Sequence, residues 1–115
     1  MWRETVKYAI FVAALCASAF VAAEINARGG VLNGHPLQLT RRDDRGLPAR
    51  SIDNMRELAA DPDVLAVFCG RFSPVALELI PLTSELGMIL LNPWAAADGI
   101  ANNDQKPNFV FRLSL

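Results

Sequence analysis

The chain has 115 residues, 52% of them hydrophobic, and a formal net charge of −1, which suits one small domain with a single core. Near-neutrality excludes a nucleic-acid surface, which needs clustered Lys and Arg; the one basic cluster, Arg41, Arg42 and Arg45, is interleaved with Asp43 and Asp44 and reads as a solvated strand end. The two cysteines, Cys16 and Cys69, lie in unlike contexts and imply neither a disulfide framework nor a metal site.

Arg3 and Lys7 precede an uncharged stretch, Tyr8 to Ala23, that ends in small residues. This is the pattern of a secretory signal, whose apolar part runs ~7–15 residues, and it is short of the about 20 that a membrane span needs. The same Ala-rich stretch is a good helix former. A helix running on through Ala22, Ala23 and Ile25 and stopping at Gly29-Gly30, with Gly at the C-cap, reads equally from it. One long helix is expected in either setting.

Asn33-Gly34 is a turn signal. Leu37 and Leu39 then alternate with Gln38 and Thr40, which predicts a strand, closed by Asp43-Asp44-Arg45-Gly46. Pro48 opens a helix whose Ile52, Met55, Leu58 and Ala59 share one face, with Arg50, Asp53, Arg56 and Glu57 outside. Pro62 cannot continue it.

Val64 to Cys69 is an unbroken apolar run, too short for a helix, which is how a parallel strand covered on both faces reads. Gly70 ends it. Ser73 is placed to cap a helix through its side-chain oxygen, with Pro74 at the first helical position. That helix is expected to reach Leu86, with Leu79, Leu82 and Leu86 at core spacing, Gly87 past its end, and Pro81 bending or splitting it. Met88 to Leu91 predicts a second buried strand, Asn92 to Pro107 a long loop of the kind that carries function, and Phe109, Val110 and Phe111 a last strand.

Strands alternating with helices at this spacing mean parallel βαβ units, an α/β fold with a three-layer parallel sheet. Three loops then share one edge, Asp43 to Gly46, Gly70 to Ser73 and Asn92 to Asp98, and any site belongs there. A strand running into a helix start at that edge offers unpaired N–H groups to an anion such as a carboxylate. An enzyme is not expected: there is no Gly-x-Gly-x-x-Gly after a strand, no phosphate-binding loop, and no Ser, His and Asp set in a nucleophile turn. No cofactor and no metal are implied. His35, beside Pro36 in a turn, has no catalytic partner, and Cys69 reads as a small buried apolar residue.

The blocks Ala23-Glu24-Ile25-Asn26-Ala27-Arg28-Gly29-Gly30-Val31-Leu32-Asn33-Gly34, Asp43-Asp44-Arg45-Gly46, Gly70-Arg71-Phe72-Ser73-Pro74-Val75-Ala76, Pro93-Trp94-Ala95-Ala96-Ala97 and Phe109-Val110-Phe111-Arg112-Leu113-Ser114 follow one another in an order and spacing that resembles the Leu/Ile/Val-binding family. These are type I periplasmic solute-binding proteins of ABC transporters. The resemblance runs from about Val21 to the end and implies a partial first lobe of the type I periplasmic binding protein fold. Residues 23–115 would form the lobe, preceded by a signal-like or extra apolar helical segment over residues 1–22.

The family traps a small solute between two lobes. The resemblance implies that Ser73, with Arg71, Phe72 and neighbouring backbone N–H groups, receives the solute's carboxylate or other polar end, and that Ala95 and Ala96 add contacts. Many amino-acid binders carry a Ser-Pro-Ala-Ala-Thr type block where this chain has Asn92-Pro93-Trp94-Ala95-Ala96, so Ala96 offers no hydroxyl and Trp94 is placed to wall the pocket instead. Each residue also has a plainer role: Ser73 as a helix cap, Trp94 as packing on the sheet edge, Arg71 as a solvated loop cation.

The implied partners are an amino acid or related small solute and an ABC membrane permease, with no nucleic acid. The implied place is the periplasm, or the membrane if the first segment is retained. Because the family's first strand and its ligand-facing loop precede the Glu-Ile-Asn-Ala block, and more follows the last strand, the chain is expected to be an incomplete copy. A cytoplasmic ligand sensor on the same fold and a small membrane-anchored interaction protein remain alternatives.

Overall fold

The computed structural model describes residues 19–69 and 71–114. They fall into two compact units, one ending at Arg41 and one beginning at Arg42. The start of the signal-like run, with Arg3, Lys7 and Cys16, and the glycine at position 70 lie outside the described residues.

In the first unit, helical backbone at 19–27 (α1) passes positions 22 and 23 without a break and stops at the glycine pair. Gly29 and Gly30 have φ of 103° and 78°, and the Gly30 N–H donates to the Ile25 carbonyl at 2.9 Å, serving an acceptor that the helix end leaves open. Only glycine fits at position 30, since a Cβ there would lie 2.3 Å from the His35 carbonyl oxygen. That approach follows from the turn through Leu32, Asn33 and Gly34, all at positive φ, which lets Val31 and His35 exchange backbone hydrogen bonds of 2.8 Å. Among the described residues no helix is long and apolar enough to cross a membrane.

The strand expected over Leu37 and Leu39 is not formed: residues 36–40 are irregular. Alternating hydrophobicity makes a strand only where a neighbour completes the ladder, and among the described residues none does. Instead, the Asn26 side chain takes the place of a strand partner at one position. Its Nδ2 donates to the Leu37 carbonyl at 2.8 Å and its Oδ1 accepts the Leu37 N–H at 2.7 Å.

The second unit runs α2 (Pro48–Ala59), β1 (Ala66–Phe68), α3 (Ser73–Leu86), β2 (Ile89–Asn92), α4 (Asp98–Ala101) and β3 (Val110–Arg112). Its three strands are all parallel, in the order β1-β2-β3, as the alternation of elements predicts. The strand β1 is shorter than its apolar run because the Val64 N–H is taken by the Asp61 carbonyl in a turn, so pairing starts at Ala66 opposite Ile89. Pro48 occupies the first turn of α2, where the missing N–H costs nothing. The helix α3 ends at Gly87, whose φ of 65° is left-handed and suits glycine. Pro81 does not split α3: it lies on the exposed side, and the helix continues through it.

Register decides where the core sits. Val67, Leu90 and Val110 form one cross-strand row, and this row packs with Met55 of α2, Val75, Ala76, Leu79 and Ile80 of α3, and Ile100 of α4. The next row, Phe68, Leu91 and Phe111, points the other way because side chains alternate along a strand, and Phe68 and Phe111 are exposed. Arg56 and Glu85 tie α2 to α3 at the surface with a 2.8 Å bond that raises the Arg56 pKa from its ordinary value; both side chains are well exposed, so the pair adds little to stability.

Leu90 has no exposed surface and touches the core from the central strand, so Leu90→Ala is expected to lower unfolding free energy by about 2–5 kcal/mol. A denaturant titration checks it, and a midpoint unchanged from the parent chain would contradict this placement of the core.

Candidate functional site

The strand β2 does not end in an apolar residue. Its last position is Asn92, 1% exposed, and a buried amide must find partners for both of its ends. It finds them in the backbone that follows: Nδ2 donates to the Ala95 carbonyl at 2.7 Å, while Oδ1 accepts the N–H groups of Ala95 at 3.0 Å and Trp94 at 3.3 Å. The chain is thus folded back at the carboxyl end of the central strand, and Ala95 is buried. This loop is not structureless to Pro107, because Asp98–Ala101 forms the short helix α4.

The end of β3 adds two further holds. Arg112, with a side chain 17% exposed, donates from one terminal nitrogen to the carbonyls of Ala96 and Ala97, each at 3.0 Å. That nitrogen also lies 3.8 Å from the Asp98 carboxylate. Ser114 donates its hydroxyl to the Ala95 carbonyl at 2.8 Å. All three carbonyls from Ala95 to Ala97 are therefore bound by side chains of Asn92 in β2, Arg112 in β3 or Ser114, two residues past β3.

After β1 comes the second loop. Ser73 is not the N-cap of α3: that position is held by Phe72, in extended backbone, and no side chain caps the helix. With Ser73 one residue further in, its hydroxyl reaches across to the neighbouring loop and accepts the Ala97 N–H at 3.3 Å. Arg71 stacks over the Phe72 ring, 4.8 Å from its centroid, and the far edge of that ring lies close enough to Gly46 that a Cβ there would stand 3.2 Å from it.

Gly46 belongs to the third loop of the expected edge, built by two aspartates acting as turn formers. Asp43 Oδ1 accepts the Arg45 N–H at 2.9 Å, Asp44 Oδ1 the Gly46 N–H at 2.7 Å, and Asp44 Oδ2 the Ser51 hydroxyl at 2.6 Å. All three loops read from the sequence are thereby brought side by side. Ser73 and the Ala95-Ala96 segment meet through Ala97, and Phe72 meets Gly46. Trp94 stands in solvent, 75% exposed, rather than packing on the sheet edge, and Ala96 is exposed with an N–H that has no hydrogen-bond partner among the described residues. Among the described residues no cluster of His, Cys, Asp or Glu could hold a metal ion.

Sequence reasoning missed Asn92, Arg112 and Ser114 as the residues that fix the site. A polar amide closing an otherwise apolar strand is a signal for the first. Arg112 and Ser114 alternate along the end of β3 and become legible only once the parallel register places Arg112 opposite Asn92. Asn92→Leu, which keeps the bulk, leaves the buried Ala95 N–H without its acceptor while Ser114 still holds the Ala95 carbonyl, and is expected to cost about 1–3 kcal/mol for that unpaired group. Thermal and denaturant unfolding would show it, and a variant as stable as the parent would remove Asn92 from this role.

Comparison with known protein families matches residues 7–114 to the family described as periplasmic binding protein. Among solved structures, one ABC transporter substrate-binding protein from Desulfitobacterium hafniense, determined in complex with Leu, is 22% identical, with a TM-score of 0.74 over 82% of this chain and 27% of its own. A second structure of an ABC transporter substrate-binding protein from the same organism is 23% identical, with a TM-score of 0.71 over 79% of this chain and 26% of its own. The likeness to these two concerns the fold, and the chain spans about a quarter of their length. No curated protein matches the chain. With nearly all of its residues covered by the family match and its parallel sheet shared with solved members of the same architecture, the chain belongs to the periplasmic binding protein family, as part of a first lobe of the type I fold.

Proposed function

We propose that the chain is part of the solute-receiving lobe of an ABC-transporter substrate-binding protein, and that its role is binding rather than catalysis. The solute is an amino acid or a similar small molecule carrying a carboxylate. The observation that carries this reading is the junction of two loops at one sheet edge. The Ser73 oxygen is engaged as an acceptor by Ala97, so its proton is left to donate outward. The exposed Ala96 N–H is a second donor on the adjoining loop. Two donors and no free carbonyl between Ala95 and Ala97 suit a carboxylate better than an ammonium group.

Phe72 and Trp94 flank this edge with apolar surface, and Arg71, stacked on Phe72, adds positive charge. On this reading residues 23–115 are lobe and residues 1–22 an export segment, delivery is to a membrane permease, and the place of action is the periplasm. The leucine seen in one solved structure of this fold makes it the first solute to try.

Because the family traps its solute between two lobes and the chain spans about a quarter of its solved neighbours, calorimetric titration of a two-lobed protein completed around the chain, with leucine, leucinamide and 4-methylpentanoate, tests the reading. Leucine and 4-methylpentanoate are expected to bind and leucinamide not, and Ser73→Ala is expected to weaken leucine by about tenfold or more, the worth of a hydrogen bond to a charged group. Equal affinity for leucine and leucinamide, or no uptake of any of the three, would sink it.

A further inference from the structure

The peptide unit between Ala96 and Ala97 is held at both ends. Its oxygen accepts from the Arg112 guanidinium at 3.0 Å, and its N–H donates to the Ser73 hydroxyl oxygen at 3.3 Å. A trans peptide is planar, with C=O and N–H pointing in opposite directions, so one rigid unit spans the gap from the end of β3 to the start of α3. The same guanidinium nitrogen holds the next carbonyl, that of Ala97, also at 3.0 Å.

From this chain of contacts we infer that Arg112 is a positioning residue for the solute site, acting on Ser73 through the Ala96-Ala97 peptide. Two physical effects combine. The geometric one is that Arg112 fixes the rotation of the peptide plane, and with it the line along which the Ala97 N–H meets Ser73. The electrostatic one is that a full positive charge on the carbonyl oxygen draws electron density along the peptide, strengthening the N–H as a donor. A hydroxyl that accepts a stronger bond is in turn a better donor, since hydrogen bonds in series polarise one another.

The Asp98 carboxylate, 3.8 Å from the same nitrogen and 93% exposed, meets it in the high dielectric of water, where an ion pair is worth little, whereas the two carbonyl bonds of Arg112 are shorter, at 3.0 Å. Ser73 thereby becomes the terminal donor of a line that begins at a half-buried cation, and the inference rests on the proposed solute reading only in taking Ser73 to face the ligand.

The test uses the whole chain and reads the line without any solute. Amide hydrogen exchange and amide proton shifts are measured by NMR for the parent, Arg112→Met, Arg112→Lys, Ser73→Ala and the double variant Arg112→Met/Ser73→Ala. Arg112→Met is expected to speed exchange of the Ala97 amide by roughly fivefold or more, the scale of one net hydrogen bond, and to move its proton upfield. The Leu90 and Leu113 amides, which bond to Phe109 and Asn92 within the sheet, stay protected. Arg112→Lys, which keeps a charged donor, restores most of the effect, and in the double variant the two changes are less than additive.

An unchanged Ala97 amide in Arg112→Met, or strict additivity with Ser73→Ala, overturns the inference. If Arg112→Met also exposes Leu90 and Leu113, the decision passes to Arg112→Lys: a parent-like Ala97 amide there supports the line, and a lost one refutes it. A parallel leucine titration of the protein completed with a second lobe keeps the two readings apart, because absent solute binding there with an intact Ala97 response removes the proposed function and leaves the positioning role standing.

Discussion

A parallel strand has to end somewhere, and at its carboxyl end the backbone groups of the following residues must be paired or wetted. In this protein that requirement falls on Asn92. Its amide is buried at the end of the central strand and bonded at both ends to the backbone of Trp94 and Ala95, so the loop beyond β2 is turned by a residue of its own strand. The same turn sets the carbonyls of Ala95 to Ala97 where Arg112 and Ser114 hold them. Ser73 receives Ala97 only because that loop is where it is.

The arrangement separates two duties that loops usually combine. The carbonyl side of Ala95 to Ala97 is consumed by internal bonds, which gives rigidity, while on the proposed reading the exposed Ala96 N–H and the Ser73 hydroxyl serve recognition. Rigidity costs little at the moment of binding because the groups involved are ordered beforehand. The short side chains of Ala95, Ala96 and Ala97 fit the same proposal, in which the backbone itself is the recognising surface and larger side chains would stand in its way.

Much of this architecture was legible in the residues. Short apolar runs at 64–69 and 88–91, a glycine after Leu86 and a proline at the head of α2 mark elements that form close to where the pattern puts them, because helix-end chemistry is local, although the 64–69 run is not covered on both faces as it reads: Leu65 and Phe68 are exposed. Leu37 and Leu39 misled because a strand is a property of two segments, and one segment's alternation says nothing of whether its neighbour is there. Ser73 misled more narrowly: Ser and Pro at a helix start fit the cap positions in either of two frames one residue apart, and the extended backbone of Phe72 decides between them. Arg112 could not be read at all without the register, since its partners lie fifteen and sixteen residues back in the chain.

One small feature sets how this edge could change over generations. Gly46, at φ 68°, sits against one edge of the Phe72 ring, where an added Cβ would stand 3.2 Å away and the ring would have to give slightly, so the turn made by Asp43 and Asp44 acts as a shim for an aromatic side chain that borders the proposed site. A heavier residue at that one position would tilt the ring without altering any group that donates a hydrogen bond. Position 46 of this chain thus holds a route to a differently shaped edge at the proposed site that leaves its hydrogen-bonding groups in place, at the cost of a strained turn where glycine had been free.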